Sequence, residues 1–214
     1  MTAPYLAPAA SHRYVLDLVR DADRDRFLGA LFAPEPARSD LLALLAVDHE
    51  LARTRTVTRE PLLARIRLEW WREAVAEAAG SGKPRAQPIV ESLSETLRRH
   101  RLSPDGLLAL IGAREDEIEG PIDIARAGHA LADLELAVLG VDDDASRGAA
   151  RAVSMAWLTE AGSQRDALIA EGRALRREVD PAALPILLPA LSLGGMSLWR
   201  KPLAYWWAAR RGRY

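Results

Sequence analysis

Residues 41–75 read LLALLAVDHELARTRTVTREPLLARIRLEWWREAV, and they contain two apolar helical patterns joined by a short hinge rich in Thr and Arg. In the first pattern, apolar residues recur at spacings of three and four and share a helical face with Asp48. The second pattern has two adjoining apolar faces: Leu63, Ile66 and Trp70 on one, and Leu68, Trp71 and Val75 on the other. A helix that is apolar over so wide an arc is normally enclosed by its neighbours. We therefore expect this helix pair to form the core of the fold.

The rest of the chain continues the helical pattern on both sides of this pair. Ala and Leu dominate the apolar residues, and no run with an apolar period of two is present, so the fold class is predicted to be all-α. Pro and Gly punctuate the chain into eight or nine helices without a clear domain boundary. We predict a flexible tail over 1–10, one helical domain over 11–198 and a basic aromatic helix over 199–214.

Composition and charge exclude several classes of protein. The net charge is −1, which gives no reason to expect a nucleic-acid partner. The chain has no cysteine, so disulfides and thiolate catalysis are excluded. The first residues make a poor signal peptide, and no run of about eighteen uncharged apolar residues is present. These features predict a cytoplasmic protein, with peripheral contact to the inner membrane left open.

The tripeptide Asp48-His49-Glu50 is the motif in the chain whose residue types most suggest a catalytic or ligand-binding site. Asp48 lies on an apolar face, and burial of a lone carboxylate is costly unless it is paired. We expect Asp48 to pair with an arginine from a neighbouring helix, either Arg67 or Arg114. A ligand-contacting role for Asp48 is the alternative.

The C-terminal segment differs from the rest of the chain because it is rich in Trp, Tyr and basic residues and contains no acid. Trp and Tyr favour the membrane–water interface, and Lys and Arg favour anionic headgroups. Two interpretations stay open: membrane contact, or a terminal helix that packs on the domain by its aromatic face. The membrane-contact candidates are Trp199, Arg200, Lys201, Trp206, Trp207, Arg210 and Arg211.

Four segments in this order resemble the squalene/phytoene synthase family: VRDADRDRFLGALFAP at 19–34, RSDLLALLAVDHELA at 38–52, IRLEWWREAV at 66–75 and GPIDIARAGHALADLELAVLG at 120–140. Within this family, the sequence is most similar to the divergent subgroup that resembles the complex I assembly factor 6 proteins of mitochondria. The resemblance implies the all-α isoprenoid synthase fold, shortened here at its C-terminal end.

Active members of this family join two prenyl diphosphates and hold Mg²⁺ between two aspartate-rich motifs, which requires carboxylates three or four residues apart. The resemblance places the first motif near residues 52–56, where the sequence ARTRT has no carboxylate. It places the second motif within 148–160, where only Glu160 is available. Both motifs are missing at these positions, so we assign no catalytic and no metal-binding residue.

The leading hypothesis is a non-catalytic accessory or assembly factor at a membrane, with respiratory complex I biogenesis implied by the resemblance. A cavity between the helices at 41–56 and 62–79 would remain for a prenyl or lipid chain, with Asp48, Glu50, Trp70, Trp71 and Glu73 as candidates to line it or bind the ligand. The alternative is an active Mg²⁺-dependent prenyltransferase with relocated carboxylates. Asp48 and Glu50, or the stripe Glu69, Glu73 and Glu77, would then have to face another acidic helix.

Overall fold

The computed structural model describes residues 9–58, 60–193, 200–212 and 214, and within them helices make up all of the regular structure. This observation confirms the predicted all-α class. The α-helices are α1 (Ala9–Ala22), α2 (Arg24–Ala30), α3 (Ala37–Ala52), α4 (Thr54–Val57), α5 (Pro61–Ala79), α6 (Pro88–His100), α7 (Asp105–Glu119), α8 (Ile124–Leu139), α9 (Asp144–Leu158), α10 (Ser163–Ala174), α11 (Leu184–Leu187) and α12 (Lys201–Arg210). Two short 3₁₀ turns, Pro181–Ala183 and Leu188–Leu191, flank α11.

Helix α3 lies at the centre of the fold. Its residues from Asp40 to Asp48 are all buried, and it packs against α1, α6, α7 and α8. A helix that is apolar on every side is stable only when neighbours surround it. The first half of the 41–75 stretch therefore forms the core, as its sequence pattern predicts.

Helix α5 is enclosed on only one of its two apolar faces. Leu68, Trp71 and Val75 are buried against α6 and α7. By contrast, Leu63 is 49% exposed and Ile66 is 57% exposed. The expectation that neighbours would enclose both faces is wrong for the outer face, because Leu63 and Ile66 remain exposed beside α4.

A second cluster of apolar side chains joins α8 and α9 to the proline-rich segment around α11 and to the C-terminal end. Gly29 of α2 allows that segment to approach closely, because a Cβ at this position would collide with the carbonyl oxygen of Pro185. The described part of the C-terminal helix is shorter than the predicted span 199–214. At the other end, α1 begins at Ala9, inside the predicted tail.

Candidate functional site

A buried ionic cluster surrounds Asp48 at the junction of α2, α3 and α7. Arg26 Nη1 donates to Asp48 Oδ2 at 2.8 Å, and Arg114 Nη2 lies 3.5 Å from Asp48 Oδ1. Both carboxylate oxygens of Asp48 therefore face a guanidinium group. The prediction that Asp48 pairs with an arginine is correct for Arg114, whereas Arg67 pairs with Glu50 instead.

Arg26 connects this cluster to its surroundings. Its Nε donates to Asp23, the residue that also caps α2, and its guanidinium lies 5.3 Å from the ring centroid of Trp157. Burial favours the neutral form of Arg26, but attraction to Asp23 and Asp48 outweighs burial and raises its pKa. Burial likewise opposes the charge of Asp48, and Arg26 and Arg114 outweigh it and lower the pKa of that carboxyl. The paired groups are therefore charged inside the protein.

Glu135 of α8 is the exception among the buried acids of this region. Burial raises the pKa of Glu135 to about 8, and attraction to Arg26 only partly opposes this effect. Arg26 and Glu135 line a cavity of about 20 Å³ whose other walls are mainly apolar. A cavity of this size holds about one water molecule. This cavity is therefore nearly filled, and a neutral carboxyl lies at its wall at neutral pH.

The residues of this interior do not fit a magnesium site. Mg²⁺ requires oxygen ligands in octahedral geometry, usually from one or two carboxylates together with waters or substrate phosphates. Here the oxygens of Asp48 meet two guanidinium groups, and a cation would be repelled by both. In the part of the chain that the structure describes, no three acidic or histidine side chains come together to hold a metal ion.

A groove of about 600 Å³ lies between α4 and the outer face of α5, and it is open to solvent. Its walls are largely apolar, with Trp71 buried and packed edge to face on Trp70. The carboxylate of Glu50 also lines the groove, and it accepts hydrogen bonds from Arg53 at 2.7 Å and from Arg67 at 2.6 Å. The lining residues are Glu50, Val57, Thr58, Leu63, Ile66, Arg67, Trp70, Trp71 and Gln87.

The five cavity candidates from the sequence do not all lie at one site. Glu50, Trp70 and Trp71 line the groove. Asp48 lies on another side of α3, because two residues along a helix turn the chain by about 200°. Glu73 does not line the groove either, and it pairs with Arg85 at 3.4 Å, beside the stronger pair between Arg85 and Glu77. The expectation that Asp48 and the tryptophans share one cavity is therefore not met.

The membrane-contact candidates on α12 divide into two faces. Lys201 is buried and its Nζ donates to Asp25 at 2.8 Å and 2.7 Å, so this lysine fixes the helix on α2 and does not face outward. Trp206 and Trp207 are exposed, as are Arg200, Arg210 and Arg211. Trp199 lies outside the described residues.

Sequence reasoning missed Arg26, Glu135 and Trp157. Glu135 has only a weak signal, because it lies between apolar residues in ALADLELAVL, a property that it shares with Asp133. Arg26 has none, since it belongs to a run of alternating acids and arginines that is typical of a solvated face. Its burial depends on how α2 packs against α3.

Comparison with known proteins identifies the family of this chain. The model of the family described as squalene/phytoene synthase matches residues 19–136, more than half of the chain. The chain therefore belongs to the squalene/phytoene synthase family.

Curated proteins that match this sequence are named NADH dehydrogenase (ubiquinone) complex I, assembly factor 6. The protein from Bos taurus is 30% identical over 114 residues, which are 53% of this chain and 34% of that protein. The protein from Homo sapiens is 28% identical over 106 residues, which are 50% of this chain and 32% of that protein. The chain thus matches about a third of the length of these relatives.

A solved structure extends the likeness to nearly the whole chain. The crystal structure of squalene synthase HpnC from Alicyclobacillus acidocaldarius matches with a TM-score of 0.67, covering 95% of this chain and 94% of that one. The sequences are 16% identical, so this likeness establishes the fold alone.

Proposed function

We propose that this chain is a non-catalytic member of the squalene/phytoene synthase family that acts as an accessory factor in the assembly of a respiratory NADH dehydrogenase complex. Its place of action would be the cytoplasmic side of the inner membrane, and its partner a subunit of that complex. The names of the relatives from Bos taurus and Homo sapiens support this process.

The ionic cluster around Asp48 carries the non-catalytic part of the proposal. Catalysis in this family depends on carboxylates that hold Mg²⁺ at the departing diphosphate. In this chain Arg26 and Arg114 occupy both oxygens of Asp48, and a cavity of about 20 Å³ has no room for two prenyl chains. Glu69 and Glu77, members of the alternative acidic stripe, are paired with Arg72 and Arg85.

Pyrophosphate release tests this part directly. The purified protein is incubated with farnesyl or geranylgeranyl diphosphate and Mg²⁺, with an active squalene synthase as a positive control. We expect no release above background. Metal-dependent release would replace the proposal with the prenyltransferase alternative, and loss of that release in Asp48→Asn or Glu50→Gln would then identify the relocated carboxylate.

Deletion of the gene tests the assembly role. We expect less assembled NADH dehydrogenase complex on native gels, with other respiratory complexes unchanged and recovery when the intact chain is supplied. A normal amount of assembled complex in the deletion strain would contradict the role.

We also propose that the groove at α5 holds an apolar chain of a prenyl or lipid molecule. Its volume lies in the range of small-molecule sites, and its walls are apolar around Trp70. Geranylgeraniol and palmitate serve as probes, with tryptophan fluorescence as the readout. We expect a saturable change in the intact protein and in the control Trp206→Ala, and its loss in Trp70→Ala. An equal change in Trp70→Ala would contradict binding at this groove.

A further inference from the structure

The outward face of α12 is apolar and aromatic. Leu203 is 61% exposed, Trp206 is 47% exposed and Trp207 is 50% exposed. Trp206, Trp207 and Arg210 follow Leu203 by three, four and seven residues. This spacing places all four side chains on one side of the helix. We call these four residues the outer stripe. A surface helix normally turns its large apolar side chains inward, so this arrangement requires an explanation.

The inner face of α12 is held in place, so the helix cannot turn the outer stripe toward the core. Lys201 donates to both carboxylate oxygens of Asp25. Tyr205 is fully buried, and its hydroxyl lies 2.8 Å from Ser192 Oγ. A tyrosine and an ion pair thus occupy the side that faces α2 and the 188–191 turn.

Positive charge is built into the outer stripe. The guanidinium of Arg210 lies 5.4 Å from the ring centroid of Trp206, and that of Arg211 lies 4.4 Å from the ring centroid of Trp207. The sequence from 200 to 214 contains no acid, although the whole chain has a net charge of −1. The excess of positive charge is therefore a local property of this end of the molecule.

A surface of indole rings with guanidinium groups beside them matches the chemistry of an anionic bilayer. Indole rings favour the headgroup level of a membrane, and arginines pair with lipid phosphates. A helix of ten residues is about 15 Å long, which suits an element that lies in the plane of the interface. In the described residues, no helix meets the length and hydropathy needed to cross a bilayer.

We propose that the outer stripe of α12 and the adjoining Arg211 bind the surface of an anionic phospholipid bilayer, with Leu203, Trp206 and Trp207 among the headgroups and Arg210 and Arg211 at the phosphates. This proposal deepens the accessory role argued above by naming the lipid surface, and it rests on that role for its place in the cell. Lys201 takes no part in the contact, because its charge is compensated by Asp25.

Vesicle flotation with the full chain tests the proposal. The vesicles contain phosphatidylcholine alone or an equal mixture of phosphatidylcholine and phosphatidylglycerol. We expect binding to the anionic vesicles only, and weaker binding as salt is raised. The double variant Trp206→Ala, Trp207→Ala should bind about tenfold less. Arg210→Gln with Arg211→Gln should also bind about tenfold less, with a flatter dependence on salt.

Tyr14→Ala with Leu62→Ala is the matched control, because it removes two exposed apolar side chains from α1 and α5. It should bind like the intact protein, and circular dichroism should show that every variant is folded. Equal binding of the tryptophan variant, or no binding of the intact chain to anionic vesicles at low salt, overturns the proposal. If the outer stripe instead binds an apolar protein partner, the intact chain will not bind anionic vesicles, which is the second of these results.

The assembly assay separates this proposal from the proposed function. If the intact chain restores assembly of the NADH dehydrogenase complex but binds no vesicles, only the membrane proposal fails. If it binds vesicles through the stripe but deletion of the gene leaves assembly normal, the assembly role fails and the membrane contact stands.

Discussion

At the residue scale, Asp48 is buried and is held by two arginines. Removal of one partner from a buried ion pair leaves an uncompensated charge, which costs about 3–5 kcal/mol. We expect Asp48→Asn to lower the free energy of unfolding by this amount, because Arg26 and Arg114 lose their shared carboxylate. Urea denaturation followed by circular dichroism measures the change.

The control for this variant is Asp21→Asn, which removes an exposed carboxylate paired with Arg20. Exposed pairs of this kind contribute less than about 1 kcal/mol. If both variants lose the same stability, the cluster does not hold charge inside the fold as described.

Glu135 makes stability depend on pH. Its pKa is about 8 in the folded protein and is near its ordinary value in the unfolded chain, so the folded state binds more protons between these two values. The contribution of Glu135 to the free energy of unfolding is therefore highest below about pH 4.5. It falls as the pH rises to about 8 and is constant at higher pH. The reason is that Glu135 must ionise in a buried position, where attraction to Arg26 only partly opposes burial and Asp48 and Asp23 add repulsion.

The variant Glu135→Gln isolates this effect. We expect it to be more stable than the intact protein at pH 8 by roughly a few kcal/mol, with the difference vanishing near pH 5. Denaturation curves over this pH range measure the difference. A constant difference across the range would mean that Glu135 does not titrate with a raised pKa.

At the element scale, α5 has one face in the core and one in the groove. Leu68 is fully buried, so Leu68→Ala should cost about 2–5 kcal/mol of unfolding free energy. Ile66 is exposed, and Ile66→Ala should change the same quantity by no more than about 0.5 kcal/mol. Thermal or urea denaturation distinguishes them. A large loss in Ile66→Ala would show that another part of the protein covers the groove.

The same helix shows how far sequence reasoning reaches. Periodicity correctly identifies α5 and its two apolar faces, because spacing along a helix is a local property. It cannot tell which face meets a neighbour, since that depends on where α4, α6 and α7 pack. For the same reason, sequence reasoning includes Arg114 among the expected partners of Asp48 and leaves out Arg26. Arg26 lies in a run of charged residues that is typical of an exposed surface, and it becomes buried only when α2 folds against α3.

At the scale of the whole molecule, burial is unevenly distributed among the helices. Most of α3 is buried, whereas in α10 only Ile169 and Gly172 are. Helices with few buried apolar contacts open locally at low free energy. We expect backbone amides of α10 to exchange with solvent well before those of α3. Hydrogen exchange measured by mass spectrometry tests this order, and equal protection of the two helices would contradict it.

The family resemblance and the helical class could be predicted from sequence because several motifs occur in the correct order along 19–140. The separation of Asp48, in the interior, from Glu50, in the groove, could not be predicted. It arises from the turn of α3 between Asp48 and Glu50, which directs two neighbouring carboxylates to different sets of arginines.

The mutual dependence of Arg26, Asp48 and Arg114 also bears on how this chain can evolve. Replacing any one of them alone strands charge in the interior, so the three positions should change together or stay as they are among descendants of this sequence. A cation-binding interior at this place would require the loss of two arginines and the gain of carboxylates. We expect single steps on that route to lower the free energy of unfolding, because each breaks a buried ion pair. We therefore expect the ionic cluster to oppose the gain of a cation site in the interior.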